Sequence, residues 1–279
     1  MKVIKNVSQL QKIAFKHLRD GDEIGLVPTM GALHGGHISL IEKAVRNNDV
    51  SVVSIFVNPV QFGPGEDYLK YPRPVKKDLD ICRKNNVTYV FMPSASDMFP
   101  NGYKTFVEVE TLQNIMCGLF RPVHFRGVAT VISKLLNISC ATRAYFGMKD
   151  FQQLKIIEKM VKDMNFRTKI ISCPIVREKT GLALSSRNSY LTASEKILSS
   201  NIYESLKIAA AEFKNKPLDE VKRNILARLK KIPGSKVDYA EIVSSSDLSS
   251  ADGNTKKAVL AVAVWIGKTR LIDNIQMIK

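Results

Sequence analysis

A chain of 279 residues, 45% hydrophobic and 24% charged, has the composition of a globular protein with one large or two ordinary domains, and no apolar run in it reaches membrane-span length. The opening Met-Lys-Val-Ile-Lys-Asn lacks the apolar core of a signal peptide, and Cys82, Cys117, Cys140 and Cys173 lie too far apart for a zinc site or a disulfide framework, so buried reduced thiols and a cytoplasmic location are expected. The net charge of +16 admits nucleic-acid or anionic-membrane contact, but the lysines are scattered along helix faces with only short pairs at 76–77 and 230–231; the expectation is a solvated surface, part of it serving anionic substrates, with no nucleic acid and no membrane as partner.

In chain order, Val3 to Asp20 reads as a strand followed by a helix with Leu10, Ile13, Ala14 and Leu18 on one face. Ile24, Leu26 and Val27 form an apolar run of strand length, ended by Pro28. Gly31, Gly35 and Gly36 make a tight loop, and a helix starts around Gly36 or His37 and runs to about Asn48. Val50 to Val57 is nearly continuously β-branched, the pattern of a strand buried on both faces of a parallel sheet, and it leads into Asn58-Pro59-Val60-Gln61-Phe62-Gly63. Then come a charged helix (Lys76 to Asn86), a short strand (Tyr89 to Met92), a candidate strand (Phe106 to Val109) and an apolar helix (Arg126 to Ser139). A strand (Ala144 to Phe146), a helix (Asp150 to Met164) and a strand (Phe166 to Cys173) follow. Such alternation is the signature of an α/β fold with a doubly wound parallel sheet, whose ligand crevice lies at the carboxyl ends of the strands; the loops 28–37, 58–63 and 147–153 all follow predicted strands.

After Cys173-Pro174 the pattern changes. Gly181 to Asn188 is polar and loop-like, Ala193 to Lys214 and Leu218 to Lys231 are helical, and Val237 to Val243, Ala258 to Ile266 and Arg270 to Ile272 are strand-like. This predicts a second, smaller α+β C-terminal domain over 175–279, with Ser244 to Lys257 as a polar connection whose order the sequence leaves open.

Chemistry concentrates in a few of these loops. A strand, a glycine loop and a helix N-terminus make an anion site, because the first helical N–H groups have no partner within the helix. His34 and His37 stand at that entrance, where imidazole N–H groups can donate to phosphate oxygens; a helix cap, or half of a metal site, are competing readings. Gly147-Met148-Lys149-Asp150 opens a second helix, with Lys149 as a phosphate partner and Asp150 as a cap, and Gln152 and Gln153 in the first turn. Leu184-Ser185-Ser186-Arg187-Asn188 places two hydroxyls and a guanidinium in one loop, suited to phosphates and to a closing flap, or else a plain Ser-rich turn. Asn58 and Gln61 offer uncharged amides for a small substrate, or serve the turn at Pro59. Asp78 and Asp80 can each meet Mg²⁺ or lie on a solvated helix face, while His124, Arg126 and Tyr71-Pro72-Arg73 either face the cleft or cap and brace loops.

These segments together resemble the pantoate–β-alanine ligase (pantothenate synthetase) family of the nucleotidyltransferase superfamily. The resemblance rests on Pro28-Thr29-Met30-Gly31-Ala32-Leu33-His34-x-Gly36-His37, Ser54-Ile55-Phe56-Val57-Asn58-Pro59-x-Gln61-Phe62 and Tyr71-Pro72-Arg73. It continues through His124-Phe125-Arg126-Gly127-Val128, Phe146-Gly147-x-Lys149-Asp150-Phe151-Gln152-Gln153-Leu154, Gly181-Leu182-Ala183-x-Ser185-Ser186-Arg187-Asn188 and Trp265-Ile266-Gly267-x-x-Arg270-Leu271-Ile272-Asp273-Asn274. It runs essentially end to end.

The resemblance implies a Rossmann-like ATP- and pantoate-binding domain over 1–174, a lid and dimer-associated domain over 175–279, and a homodimer. It implies an ATP- and Mg²⁺-dependent reaction of coenzyme A biosynthesis, in which pantoate forms a pantoyl adenylate with release of pyrophosphate and β-alanine then displaces AMP. By position, it assigns His37 as general acid, His34, Lys149 and Arg187 as further catalytic groups, and Met30, Gly31, Ala32, Leu33, Gly35 and Gly36 as ATP contacts. Gly147, Met148, Asp150, Val176, Leu184, Ser185 and Ser186 are further ATP contacts; Gln61, Gln153 and Asn58 take pantoate, Gln61 also β-alanine, and Asp78 is linked to Mg²⁺. Met148, Leu184 and Val123 depart from residues common in the family. Another nucleotidyltransferase would share the His-x-x-His helix but has no use for Gln61 and Gln153 as paired amides.

Overall fold

Six short, aliphatic-rich strands run parallel in the computed structural model, which describes all 279 residues. They are β1 (Lys2–Ile4), β2 (Ile24–Thr29), β3 (Val50–Ile55), β4 (Tyr89–Phe91), β5 (Arg143–Gly147) and β6 (Lys169–Cys173), in the order β1-β4-β3-β2-β5-β6. Around them lie α1 (Val7–Arg19), α2 (Gly35–Asn47), α3 (Val75–Lys84), α4 (Ala95–Met98), α5 (Cys117–Phe120), α6 (His124–Ser139) and α7 (Phe151–Asp163). Every residue of β3 is buried, as its β-branched run demands of a central parallel strand. The chain steps from β2 to β3 to β4 in one direction and then re-enters on the far side of β2 as β5. The switch point of this doubly wound sheet therefore lies between β2 and β5, where such sheets bind ligands.

The chain divides into two compact units, one of Met1–Met148 with Ile156–Pro174 and one of Lys149–Lys155 with Ile175–Lys279. The short stretch Lys149–Lys155 thus groups with the second unit although it precedes residue 174. In the first unit Val27, Ile41, Val53, Val90 and Tyr145 are fully buried together. The second unit has its own core. Helices α8 (Ala193–Glu212) and α9 (Leu218–Lys230) cover an antiparallel sheet of β7 (Ser235–Ser244), β8 (Lys257–Ile266) and β9 (Thr269–Ile278), with Leu206, Phe213, Ile225, Leu229, Val262 and Val264 sealed inside. A capping box at Thr192 and Glu195 starts α8.

Four details sharpen or differ from expectation. Pro28 lies inside β2 and pairs with Ser54 of β3. It is tolerated because the β5 ladder on its other side ends at the Leu26–Ala144 pair, so its missing N–H breaks no bond. Phe106–Val109 forms no strand; the Val107 N–H instead donates to Thr130 Oγ1 of α6, at 3.0 Å. Ser244–Lys257 is a turn bonded within itself, with Ser244 N–H donating to Ser249 C=O at 2.8 Å and Leu248 buried. Of the four free cysteines, Cys82, Cys117 and Cys173 are buried, whereas Cys140 is half-buried at the left-handed C-cap of α6.

Candidate active site

The loop after β2 is built by hydrogen bonds that its sequence alone does not reveal. Thr29 Oγ1 donates to Ser54 C=O (2.6 Å) and accepts from Gly31 N–H (3.1 Å). Gly31 has φ +81°, and a Cβ there would stand 2.9 Å from an oxygen of Asp78, so this position demands glycine on two counts. Asp78, in the first turn of α3 and 1% exposed, accepts Ala32 N–H on Oδ2 (2.9 Å) and Leu33 N–H on Oδ1 (2.8 Å). It clamps the loop that leads into α2. Asp80 points elsewhere and pairs with Arg83 at the surface (2.6 Å).

His34 is the N-cap of α2, and both histidines cap. His34 Nδ1 accepts Gly36 N–H (3.1 Å), His37 Nδ1 accepts His34 N–H (3.4 Å), and their ring centroids are 4.1 Å apart. An Nδ1 that accepts a backbone N–H carries no proton, so each ring holds its proton on Nε2. The capping and phosphate-donor readings are therefore compatible: Nδ1 orients the ring and Nε2–H is the donor. The reading as half of a metal site finds no support, since no group of three His, Cys, Asp or Glu side chains is placed to hold a metal ion.

Beyond β3, Asn58 and Gln61 are buried polar side chains held to one another. Asn58 Nδ2 donates to Gln61 Oε1 and to Gly127 C=O (both 3.1 Å), while its Oδ1 caps the short turn Pro59–Gln61. Gln61 Nε2 reaches Met30 Sδ (3.1 Å), which brings the amide pair to the Met30–His37 loop. His124 fixes the turn from α6, its Nδ1 bonded to Gln61 C=O (3.1 Å). Gly127 permits this approach: a Cβ there would lie 2.4 Å from Val60 C=O. Arg126, by contrast, pairs with Glu108 (3.0 Å) and covers the Phe106 ring, and Arg73 braces the carbonyls of Tyr68 and Tyr71.

The remaining candidates belong to the second unit, apart from Gly147 and Met148 at the end of β5. Lys149 and Asp150 lie in a 3₁₀ turn that runs into α7, where Gln152 is buried and Gln153 half-buried. Residues 176–184 form a small hairpin in which Arg177 bridges Ala183 and Leu184 N–H donates to Val176 C=O (3.0 Å). Ser185 then caps the turn Ser186–Tyr190, its Oγ accepting Arg187 N–H (3.3 Å), and the Asn188 amide donates to Ala183 C=O (3.1 Å). Ser185, Ser186 and Arg187 thus sit on an ordered turn. Three residues assigned no role from sequence are bonded into this framework: Arg177 forms a bidentate pair with Asp273 (2.6 and 2.9 Å), and Asn274 Nδ2 donates to Lys149 C=O (2.9 Å). The strand read from sequence as Arg270 to Ile272 runs from Thr269 to Ile278, so Asp273 and Asn274 are adjacent polar residues inside it and not beyond its end.

A doubly wound sheet whose switch point carries a histidine-capped helix N-terminus defines a nucleotide-handling α/β enzyme. Within that class, the chain belongs to the pantoate-beta-alanine ligase family, whose sequence model matches residues 2–276. It is 72% identical over 279 residues to a pantothenate synthetase of Endomicrobium trichonymphae, covering 100% of this chain and 99% of the relative. It is 49% identical to one of Sulfurihydrogenibium sp., covering 99% and 100%. Among solved structures it is similar to a pantothenate synthetase of Thermus thermophilus (TM-score 0.92, 38% identity, 99% of both chains). It is also similar to a pantoate-beta-alanine ligase of Francisella tularensis complexed with beta-gamma ATP and beta-alanine (TM-score 0.80, 39% identity, 99% and 97% covered).

Proposed function

We propose that this chain joins pantoate and β-alanine at the expense of ATP, as an AMP-forming ligase working through an enzyme-bound pantoyl adenylate. The observation that carries this is family membership over residues 2–276, together with the histidine-capped α2 and the Asn58–Gln61 amide pair joined to one loop. In the first step a pantoate carboxylate oxygen bonds to the α-phosphorus while the bond to the β-phosphate oxygen breaks and pyrophosphate leaves. In the second, the β-alanine amine bonds to the acyl carbon, loses a proton, and AMP departs. A carboxylate is a poor acyl donor; the adenylate supplies the leaving group, and water must be kept from it.

Each residue's role follows from its chemistry. The Nε2–H groups of His34 and His37 donate hydrogen bonds to phosphate oxygens as charge develops on the leaving pyrophosphate; with Nδ1 accepting a backbone N–H, His37 serves here as a donor that keeps its proton, in place of the general acid the resemblance implies. Lys149, Arg187 and the hydroxyls of Ser185 and Ser186 hold the triphosphate, and Met30 to Gly36, Gly147, Met148, Asp150, Val176 and Leu184 complete the ATP contacts. Asn58, Gln61 and Gln153 bind pantoate, and Gln61 also adjoins β-alanine.

Among the residues proposed for ATP and Mg²⁺ only Asp78 and Asp150 carry carboxylates, and the two oxygens of the buried Asp78 each retain a lone pair beyond the N–H they accept. That fits a cation carried in by the triphosphate and not a cage built by the protein, as is usual for Mg²⁺. Asp78 would be its protein contact, and the cation would supply charge neutralisation on the phosphates. A homodimer in the cytoplasm, its second unit acting as lid, completes the reading; no helix here is long and apolar enough to cross a membrane.

A quenched reaction with ATP and pantoate but no β-alanine tests this. Enzyme-bound pantoyl adenylate and one equivalent of pyrophosphate are expected, and pyrophosphate release that needs no pantoate would refute the ligase reading. Sedimentation should give twice 31.2 kDa.

A further inference from the structure

The polar residues in the middle of β9 serve neither its sheet nor its surface. Asp273 is 6% exposed and Asn274 2% exposed, in a strand whose neighbours Leu271 and Met277 are core residues. β9 is an edge strand, paired only to β8. From it the Asp273 carboxylate takes both arms of the Arg177 guanidinium at 2.6 and 2.9 Å and also accepts Asn274 N–H at 2.7 Å. Arg177 spends its other contacts on Gly181 C=O (3.1 Å) and Asn274 C=O (3.2 Å), and its guanidinium lies 3.7 Å from the centre of the Tyr203 ring. Asn274 then turns its amide onto Lys149 C=O at 2.9 Å. A buried ion pair of this kind is a weak source of net stability, since desolvation offsets most of its attraction. Its geometry is what it contributes: it fixes planar groups in one arrangement.

The two ends of the chain of bonds are informative. Arg177 sits in the hairpin that runs into Leu184 and the Ser185–Arg187 turn; Asn274 holds the backbone of Lys149. The geometry points to Arg177, Asp273 and Asn274 as positioning residues for adenylate formation: one relay, rooted in β9, that sets Lys149 and the Ser185–Arg187 turn in fixed relation to the same triphosphate. Two cationic groups contributed by separate segments must both meet the phosphates as the leaving charge develops, and misplacement by an ångström costs on the order of 10²-fold in such steps. This rests on the ligase reading above and extends it to three residues that touch no substrate.

The test is a double-mutant cycle on the full chain, reading single-turnover pyrophosphate release with ATP and pantoate. Asn274→Ala should slow adenylate formation at saturating ATP by about tenfold or more. In a Lys149→Ala background the same substitution should cost less than about twofold, because a group that acts through Lys149 has nothing left to position. A merely structural Asn274 would give equal fold losses in both backgrounds, and that result, or a wild-type rate in Asn274→Ala, overturns the relay. If Asn274→Ala does not fold, Asn274→Asp, which keeps the volume and removes the donor, takes its place in the cycle. Absence of adenylate from the wild type would instead overturn the ligase reading, and the relay with it.

Discussion

The ring nitrogens of His34 and His37 divide their labour, and that division sets what substitution should do. Nδ1 of each ring accepts a backbone N–H at the start of α2, which orients the ring at the helix end and makes Nε2–H its donor. His37→Ala should therefore slow adenylate formation by about 10²–10³. A near-wild-type single-turnover rate would remove His37 from the chemistry. Gln61→Ala should raise the KM for pantoate more than that for ATP, because its amide is fixed within the Asn58 pair and not at the helix terminus; the reverse ranking would take it out of the acid pocket. Asp78 is the residue whose place sequence conveyed least. Its spacing in a charged helix suggests a solvated face or a metal contact, whereas its carboxylate is buried and holds the N–H groups of Ala32 and Leu33, 46 and 45 positions away. Asp78→Asn leaves one of those N–H groups facing an NH₂ and should destabilise the protein by about 1–3 kcal/mol, measurable by urea unfolding.

At the scale of elements, α6 and the turn after β3 are made for one another. Gly127 brings the helix onto the turn, and His124 and Asn58 stitch the two together. Gly127→Ala places a methyl 2.4 Å from Val60 C=O and 2.6 Å from Gln61 N, so turn and helix must part. The expected outcome is a lower Tm together with a raised KM for pantoate; a loss of Tm alone would separate the packing from the pocket. The parallel strands and long helices were legible because their apolar periodicity is a local property of the chain: β3 and α6 stand where their patterns put them. Phe106–Val109 failed as a strand because an apolar stretch of that length is equally content against a helix, and no local signal says which partner it meets. For the same reason the pairing of Arg177 with Asp273 is not legible: a bidentate pair spanning 96 residues is written only in three dimensions.

For the molecule as a whole, the buried thiol of Cys82 ties stability to alkaline pH. Burial, and secondarily the negative charge of Asp78, push it from 9.0 up to about 12. The folded state thus favours the neutral thiol more than the unfolded state does. The stability this confers is complete below pH 9 and is lost as the pH rises towards 12, because only the unfolded chain ionises readily across that interval. Unfolding free energy should fall more steeply between about pH 8.5 and 10.5 in the wild type than in Cys82→Ala, with the pH values chosen to bracket the onset of that window; parallel profiles would show that another group governs the alkaline limb.

Pro28 has a bearing on the shape of the sheet as well as on its pairing. Beyond Leu26 and Ala144 the strands β2 and β5 form no further ladder pairs, and the imide at Pro28 offers no N–H to continue them. A crevice at a switch point lies outside the carboxyl ends of its strands, whether or not they pair to the end. Here a single missing hydrogen coincides with the last shared pair of β2 and β5, the strands that lead to His34 and to Lys149.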